Sequence, residues 1–276
     1  MKTRVIGIGD NVCDKYYPAM VMYPGGQAMN FSVYAKMLGA DAAYMGVFGN
    51  DAVAHHVIHT LDELQVEYTR CRQYEGENGY AKVRLVDGDR QFLMSNKGGI
   101  VNEHPLVLSE EDLSYIRGFQ LVHTSNNGHF NECLPQVKAA GVPISYDFSG
   151  RWREEYYYES VVPYVDYAFL SCGDAPEDEI RAACQRMHIL GCRMVVATRG
   201  GIGSLIFDGE DFYVQAPHSV DAIDTLGAGD SFATAFLLAI LEGKDISEAG
   251  EAGAAFAAKT CMVHGAFGHG VPFTEE

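Results

Sequence analysis

The chain of 276 residues has no apolar run approaching the ~20 residues that a membrane-spanning helix needs. Basic residues are scarce, since 20 Lys and Arg face 37 Asp and Glu for a net charge of −17. This balance argues against nucleic acid or an anionic membrane as the main partner. It leaves room for a phosphate ligand, because backbone amides hold anions without basic side chains.

Targeting and disulfide signals are also missing. The first residues turn polar by Asp10, too early for a signal peptide. The seven cysteines are odd in number and include no Cys-x-x-Cys pair, so we expect reduced thiols. Both observations predict a cytoplasmic protein.

Two common nucleotide-binding motifs are absent. No Gly-x-x-x-x-Gly-Lys-Ser/Thr sequence occurs, which excludes a Walker-type site. Gly7-Ile8-Gly9 begins a dinucleotide fingerprint, but Val12 stands where its third glycine belongs. An NAD-binding Rossmann domain is therefore disfavoured.

Short β-rich runs alternate with helical patterns along most of the chain. The predicted strands cover residues 4–8, 42–47, 120–123, 143–147, 167–171 and 194–198. The predicted helices cover residues 28–38, 52–64, 132–140, 176–190, 229–242 and 247–262. This alternation predicts an α/β fold with a mainly parallel sheet covered by helices on both faces.

One region departs from the alternation. Residues 80–86 and 90–94 alternate polar and apolar side chains around Asp87-Gly88-Asp89, which predicts a hairpin. With a further strand near residues 67–71, we expect a small antiparallel sheet that acts as a lid. The lid would comprise about residues 12–20 and 67–97 of a single domain spanning 1–276. Its charges, on Lys82, Arg84, Asp87, Asp89 and Arg90, would suit a zwitterionic ligand.

A polar, glycine-rich stretch at residues 224–232 leads into the apolar helix predicted after it. Its sequence is Asp-Thr-Leu-Gly-Ala-Gly-Asp-Ser-Phe. The first N–H groups of a helix lack internal partners and the helix dipole favours negative charge there, so this turn predicts an anion hole. Asp230 stands at the same place. An anion hole beside a carboxylate indicates phosphoryl transfer, with Asp230 accepting a proton from the attacking hydroxyl.

Further polar residues follow predicted strands, where ligands bind in open α/β sheets. Asp10 and Asp14 lie at the end of the first strand and would either bind a polyol or cap a loop. Gly25 and Gly26 precede a helix and would allow a ligand close to the backbone or form a plain turn, with Asn30 one turn inside the helix.

Two later segments are candidates for the phosphate donor. Thr198, Gly200 and Gly203 follow a buried strand, and their glycines would admit a nucleotide. Arg151 also follows a strand and would reach a phosphate, or lie on the surface beside Trp152, the only tryptophan.

With these residues assembled, the chain resembles the PfkB, or ribokinase-like, family of carbohydrate kinases over nearly its full length. Residues 224–232 match the family's C-terminal signature. Gly25-Gly26-x-x-x-Asn30 and Gly46-x-x-Gly49-Asn50-Asp51 match its N-terminal signature. The resemblance implies a three-layer α/β/α domain with a small β lid, a homodimer, and ATP-dependent phosphorylation of a sugar.

The resemblance also implies roles for individual residues. Asp230 would be the catalytic base, and the amides of Gly227, Ala228, Gly229 and Asp230 the anion hole. Residues implied to bind the sugar are Asp10, Asp14, Gly25, Gly26, Asn30 and Asp230. Residues implied to bind ATP are Thr198, Gly200, Gly203, Arg151, Gly227 and Gly229.

The resemblance also implies sites for metal ions, although one metal-associated motif of the family is replaced in this chain. Asp224 falls where many members bind a monovalent cation such as K⁺. The family's Asn-x-x-Glu, associated with Mg²⁺, is replaced by Ser171-Cys172-Gly173-Asp174. Asp174 would then hold Mg²⁺ through a water molecule. Ser149 likewise stands where the family usually has asparagine.

Further segments, several of them outside the shared signatures, resemble the family's kinases of fructoselysine. They include residues 9–14, 108–112, 122–123, 135–141, 147–149, 258–260 and 264–266. This subgroup implies transfer of the γ-phosphate of ATP to the 6-hydroxyl of fructoselysine. A fructokinase or nucleoside kinase of the same family is the alternative, and a sugar-binding regulator without turnover is a more distant one.

Overall fold

A computed structural model describes residues 2–86 and 89–274. Its strands are β1 (Arg4–Gly9), β2 (Val12–Tyr16), β3 (Val21–Gly25), β4 (Asp41–Phe48), β5 (Arg72–Gln73), β6 (Gly79–Val86), β7 (Asp89–Ser95), β8 (Leu121–Ser125), β9 (Ile144–Asp147), β10 (Tyr167–Ser171), β11 (Met194–Thr198), β12 (Ser204–Phe207), β13 (Phe212–Gln215) and β14 (Val271–Pro272). Its helices are α1 (Gln27–Met37), α2 (Ala52–Glu63), α3 (Glu110–Ile116), α4 (Leu134–Ala139), α5 (Glu155–Ser160), α6 (Glu177–Ile189), α7 (Ala228–Leu241) and α8 (Ile246–Thr260).

The larger sheet has the order β13-β12-β11-β10-β9-β8-β1-β4-β5. The neighbours from β11 through β5 pair in parallel, whereas β12 and β13 pair antiparallel at one edge. Side chains of β1 alternate between two apolar clusters, with Val5 on one side and Ile6 and Ile8 on the other. The predicted parallel sheet with two covered faces is therefore confirmed.

Helix α1 lies directly against β1 because Gly7 has no side chain. A Cβ at Gly7 would lie 2.0 Å from the carbonyl oxygen of Ala28. The Gly7 amide also donates a hydrogen bond of 3.1 Å to the Ser32 hydroxyl. This close packing fixes the N-terminus of α1 at the carboxyl end of β1, where the candidate site lies.

The smaller sheet has the order β14-β3-β2-β6-β7. The predicted hairpin is confirmed as antiparallel β6 and β7, while Asp87 and Gly88 at its turn lie outside the described residues. Two expectations were wrong. The strand placed near residues 67–71 is instead Arg72–Gln73, which pairs with β4 in the larger sheet. The small sheet is not purely antiparallel, because β2 and β6 run parallel.

All seven cysteines are free of disulfide bonds in the structure. None of the helices in residues 2–86 and 89–274 combines the length and apolarity required to cross a bilayer.

Candidate functional site

The turn before α7 has the geometry expected of an anion hole. Gly227 caps the helix with a positive φ of 76°. A Cβ there would lie 2.3 Å from the Tyr34 hydroxyl, so only glycine fits. The amide of Gly229 has no hydrogen-bond partner within the described part of the chain. A Cβ at Gly229 would meet nothing within 4 Å, which leaves open space for a ligand beside this amide.

Asp230 lies in the first turn of α7 and contacts α1. Its side chain is buried, and its Oδ2 accepts a hydrogen bond of 2.6 Å from Nδ2 of Asn30. The Oδ1 atom of Asn30 is buried and has no hydrogen-bond partner among the described residues. The structure thus joins the two residues that the sequence placed in separate signatures.

Two cavities meet at the N-terminus of α7. The larger, of about 750 Å³, is called the acidic cavity because Asp10, Asp14, Asp147 and Asp230 line it. The other, of about 420 Å³, is called the alanine-lined cavity because Ala254, Ala257 and Ala258 of α8 form one wall. Thr225 and Gly229 line both. A group passing between the cavities would cross the free amide of Gly229.

Asp10 lines the acidic cavity and also caps α1. Its two carboxylate oxygens accept hydrogen bonds from the amides of Gln27 and Ala28, at 2.8 and 3.1 Å. Burial raises the pKa of Asp10 although these hydrogen bonds oppose the shift. The sequence left open whether Asp10 caps a loop; in the structure it caps helix α1 instead, and it also lines the cavity.

Asp14 and the glycines beside α1 form another part of this wall. Asp14 is buried, and a Cβ at Gly25 would lie 3.2 Å from its Oδ2. Gly26 has a φ of 109°, and a Cβ there would lie 2.7 Å from the carbonyl oxygen of Asp10. Gly26 lines the cavity with Asn30, whereas Gly25 is absent from the lining.

Asp147 was not assigned from the sequence, although it ends β9. Its pKa is raised to about 6, chiefly by burial and also by the nearby Asp10 carboxylate, although hydrogen bonds from Ser149 and Gln27 oppose the shift. Its position at the carboxyl end of a buried strand was the signal that would have identified it.

Arg151 lines the acidic cavity and is absent from the lining of the alanine-lined cavity. Its Nε and Nη2 atoms donate to the two carboxylate oxygens of Glu154, each at 2.8 Å. Ser149, with a φ of 49°, donates from its hydroxyl to Oδ1 of Asn126 at 2.9 Å.

Thr198, Gly200 and Gly203 all line the alanine-lined cavity. Gly203 has a φ of 106°, and a Cβ there would lie 2.2 Å from the Gln215 carbonyl oxygen. This glycine lets the chain turn from β11 into β12, an edge hairpin that the sequence did not predict. The alanine wall from α8 was also missed, although its small residues leave a flat apolar slot.

Asp224 is fully buried behind the anion hole. It accepts hydrogen bonds from the Tyr16 hydroxyl at 2.7 Å and from the amides of Leu226 and Gly265 at 3.0 and 2.8 Å. These bonds join the small sheet, the turn before α7 and the loop after α8.

Other expected residues lie away from the cavities. Asp174 is exposed in a turn and lines neither cavity, whereas Ser171 lines the acidic one.

The charged residues expected in the small sheet do not line the acidic cavity where they are described. Lys82 lies over the Tyr17 ring, and Arg84 donates a hydrogen bond to Gln91. Asp87 lies outside the described residues, as do the side chains of Asp89 and Arg90. Instead, Phe92, Ser95 and Lys97 of this region reach the cavity.

Comparisons with known proteins cover nearly the whole chain. A model described as pfkB family carbohydrate kinase matches residues 4–270. Fructosamine kinase FrlD of Bacillus subtilis (strain 168) is 45% identical over 99% of this chain and 96% of that protein. Fructoselysine 6-kinase of Escherichia coli (strain K12) is 34% identical over 97% of this chain and 100% of its own.

The fold has solved counterparts. A fructokinase from Vibrio cholerae O395, a double mutant solved with fructose, ADP and a potassium ion, superposes with a TM-score of 0.75 at 22% identity. The superposition covers 96% of this chain and 94% of that one. The expected ribokinase-like fold is confirmed. The chain belongs to the pfkB family of carbohydrate kinases and is a phosphotransferase with a sugar hydroxyl as acceptor.

Proposed function

We propose that this enzyme transfers the γ-phosphoryl group of ATP to the 6-hydroxyl of a fructosamine, with fructoselysine as the representative acceptor. The observation that carries the proposal is the position of Asp230, hydrogen-bonded to Asn30 in a cavity with four carboxylates. The names of relatives at 45% and 34% identity support the same acceptor class.

Asp230 is the general base in this proposal. Its carboxylate accepts the proton of the acceptor hydroxyl while the Asn30 amide holds it in place. The buried Oδ1 of Asn30 would accept a second sugar hydroxyl. The amides of Gly227, Ala228, Gly229 and Asp230 stabilise the negative charge that develops on the phosphoryl group.

The nucleotide occupies the alanine-lined cavity. Its base lies against the alanines of α8, since a flat apolar slot suits an aromatic ring. Thr198, Gly200 and Gly203 lie opposite, where their backbone approaches the ribose and phosphates. The γ-phosphate then faces Gly229, which borders both cavities.

Magnesium would come with the nucleotide. Groups of three or more His, Cys, Asp or Glu side chains placed to hold a metal do not occur among the described residues. Mg²⁺ does not need such a group, because it keeps several waters and binds through substrate phosphates and one or two carboxylates. Asp174, exposed near Ser171, is the proposed outer contact through water. Bound Mg²⁺ would neutralise charge on the β- and γ-phosphates.

A monovalent cation at Asp224 is a further part of the proposal. In the described residues this buried carboxylate forms no ion pair with Lys or Arg, so a cation nearby would offset its charge. The potassium ion in the fructokinase structure supports K⁺. Asp224 also positions the anion hole through its hydrogen bond with Leu226.

The acidic cavity favours an acceptor that carries positive charge. Fructosamines have a secondary ammonium group at C1, which fructose lacks. Burial and the proximity of Asp10 raise the pKa of Asp147, so a bound cation would relieve the repulsion between them. This electrostatic fit distinguishes a fructosamine from a neutral sugar.

The decisive test is an ATP-consumption screen over fructoselysine, other fructosamines, fructose and nucleosides, with the phosphate position determined by NMR. We expect kcat/KM for fructoselysine to exceed that for fructose by about 100-fold, as an added ion pair predicts, and the phosphate to appear on C6. Equal or better turnover of fructose or a nucleoside would establish the alternative kinase. Absence of turnover on every acceptor would favour the regulator.

We also propose a homodimer formed through the small sheet. Its outer strand exposes Phe92, Leu93 and Met94, an apolar surface uncommon on monomers. Light scattering after gel filtration tests this, and a monomer that persists at all concentrations would contradict it.

A cytoplasmic location is proposed because the seven free thiols and ATP use suit a reducing compartment.

A further inference from the structure

A third cavity of about 360 Å³, here called the side cavity, adjoins the acidic cavity. Asn126, His129 and Arg151 line both, so these residues form the boundary between them. The acidic cavity alone extends from the N-terminus of α7 to this boundary. A ligand longer than a hexose would therefore continue into the side cavity.

The side cavity has polar groups of both charges. Arg151 supplies a guanidinium and Glu132 a carboxylate, and Asn131 lies beside them. Asn131 is held in place because its Oδ1 accepts a hydrogen bond of 2.8 Å from the Tyr146 hydroxyl. Ion pairs of Glu132 are absent from the described part of the structure. A cationic group and an anionic group would both find a partner here.

Arg151 already holds a carboxylate in two-point contact, that of Glu154. Its guanidinium also lies 5.4 Å from the Tyr157 ring centre, which orients it. About half of each side chain of the ion pair is exposed, at 52% and 45%. Exposed ion pairs contribute little to stability, so a ligand carboxylate would replace Glu154 at small cost.

We propose that the side cavity binds the amino-acid end of the acceptor, with Arg151 on its α-carboxylate and Glu132 on its α-ammonium group. The inference rests on the proposed function. The amine substituent of a fructosamine is on C1, at the opposite end of the sugar from C6. When the 6-hydroxyl lies against Asp230, this substituent points away from α7 and toward the boundary residues.

This inference replaces two expectations from the sequence. The charges Lys82 and Arg84 of the small sheet lie outside the cavities, so they do not bind a zwitterion here. Arg151 was expected at the phosphates, yet it lines the two cavities on the acceptor side. Among the described side chains of the small-sheet region, Lys97 is the cation that lines the acidic cavity, which makes it the rival for the carboxylate.

The test compares three acceptors that differ only at the far end. Fructoselysine has both charges, its Nα-acetyl derivative lacks the ammonium, and the fructose adduct of pentylamine lacks both. For Arg151→Gln, we expect the ratio of kcat/KM for fructoselysine to that for the pentylamine adduct to fall about tenfold or more, the value of a charge-assisted hydrogen bond. For Glu132→Gln, the preference for fructoselysine over the Nα-acetyl derivative should fall.

Two variants serve as comparisons. Arg153→Gln removes a neighbouring arginine that pairs with Glu179 and lines none of the three cavities. The ratios of kcat/KM between the three acceptors should therefore be the same in this variant as in the wild type. Lys97→Gln tests the rival site, and a larger loss of selectivity there than in Arg151→Gln would overturn the proposal. An equal loss on all three acceptors in Arg151→Gln would also overturn it, in favour of a phosphate contact.

Failure of this inference is distinguishable from failure of the proposed function. If the wild-type enzyme turns over fructoselysine and the pentylamine adduct with equal kcat/KM, the subsite is wrong while the kinase assignment holds. If no fructosamine is turned over although fructose or a nucleoside is, the proposed function and the subsite are both wrong.

Discussion

Nδ2 of Asn30 donates a hydrogen bond of 2.6 Å to Oδ2 of Asp230, across 200 positions of the chain. The bond joins the first turns of α1 and α7, so both helices begin at the same point. An amide donor at this atom holds the carboxylate in one orientation. Asp230 also lines the acidic cavity, where an acceptor hydroxyl would approach its carboxylate.

The first prediction concerns this hydrogen bond. Asn30→Asp would place two buried carboxylates within hydrogen-bonding distance, and such pairs share one proton. We expect kcat to fall at neutral pH and the acidic limb of the pH–rate profile to move upward. A profile unchanged from the wild type would contradict the arrangement. Asn50→Asp, an exposed amide whose Oδ1 accepts from the Gly76 amide, is the matched control.

Gly227 and Gly229 give a matched pair of alanine substitutions. Gly227→Ala should lower the free energy of unfolding by about 2–4 kcal/mol, because a positive φ and a clash with Tyr34 are both unfavourable. Gly229→Ala lies in the helix with open space around its Cβ, so its Tm should be unchanged or higher.

The same pair separates folding from phosphoryl transfer. The new methyl group at position 229 would occupy the space beside the free amide, and we expect kcat to fall about tenfold or more, as for loss of an oxyanion donor. Thermal unfolding and kcat are measured on both variants. Normal turnover in a folded Gly229→Ala enzyme would show that the phosphoryl group passes elsewhere.

Asp147 gives a prediction on pH and stability. Because folding raises its pKa from 3.8 to about 6, the native state binds a proton more tightly than the unfolded chain between these values. Its contribution to stability is present below pH 3.8 and is lost as the pH rises through 6. Asp147→Asn should therefore raise the free energy of unfolding at pH 8, by up to about 3 kcal/mol.

The control for this prediction is internal. At the acid end of the range both forms are neutral, so the difference between the two proteins should shrink toward pH 4. The same variant should bind cationic fructosamines more weakly than the wild type, since a carboxylate is lost. If the free energies of unfolding of Asp147→Asn and the wild type differed by the same amount at every pH, burial would not raise the pKa of Asp147.

The candidate site was largely predictable because its residues are tied to local backbone geometry. The glycine-rich turn before α7 and the Gly25-Gly26 turn before α1 both stand out in the sequence because each leads into a predicted helix. Asp10 was less certain, since the same carboxylate would cap a loop or bind a polyol. Only the fold, which brings the α1 amides within 3.1 Å, shows its capping contacts.

The small sheet was harder to predict because register determines which side chains face the cavity. The pairing of β6 with β7 shifts between Lys82 and Val83, so that Val83 pairs with Phe92 and Lys82 with Met94. Such an irregularity is invisible in the alternation pattern, and it changes which side chains of the hairpin share a face of the sheet. Likewise, Arg72–Gln73 is too short a strand to reveal that it pairs with β4.

The most direct test of the central claim is the turnover of Asp230→Asn, measured with fructoselysine and ATP beside calorimetric binding of ATP. Asparagine is isosteric and remains within reach of Asn30, so the fold should persist. We expect kcat at least about 100-fold below the wild type, as for loss of a general base, with unchanged ATP affinity. Asp211→Asn, in the exposed turn before β13, should keep full activity. Near-normal turnover in Asp230→Asn would contradict the assignment of Asp230 as the base.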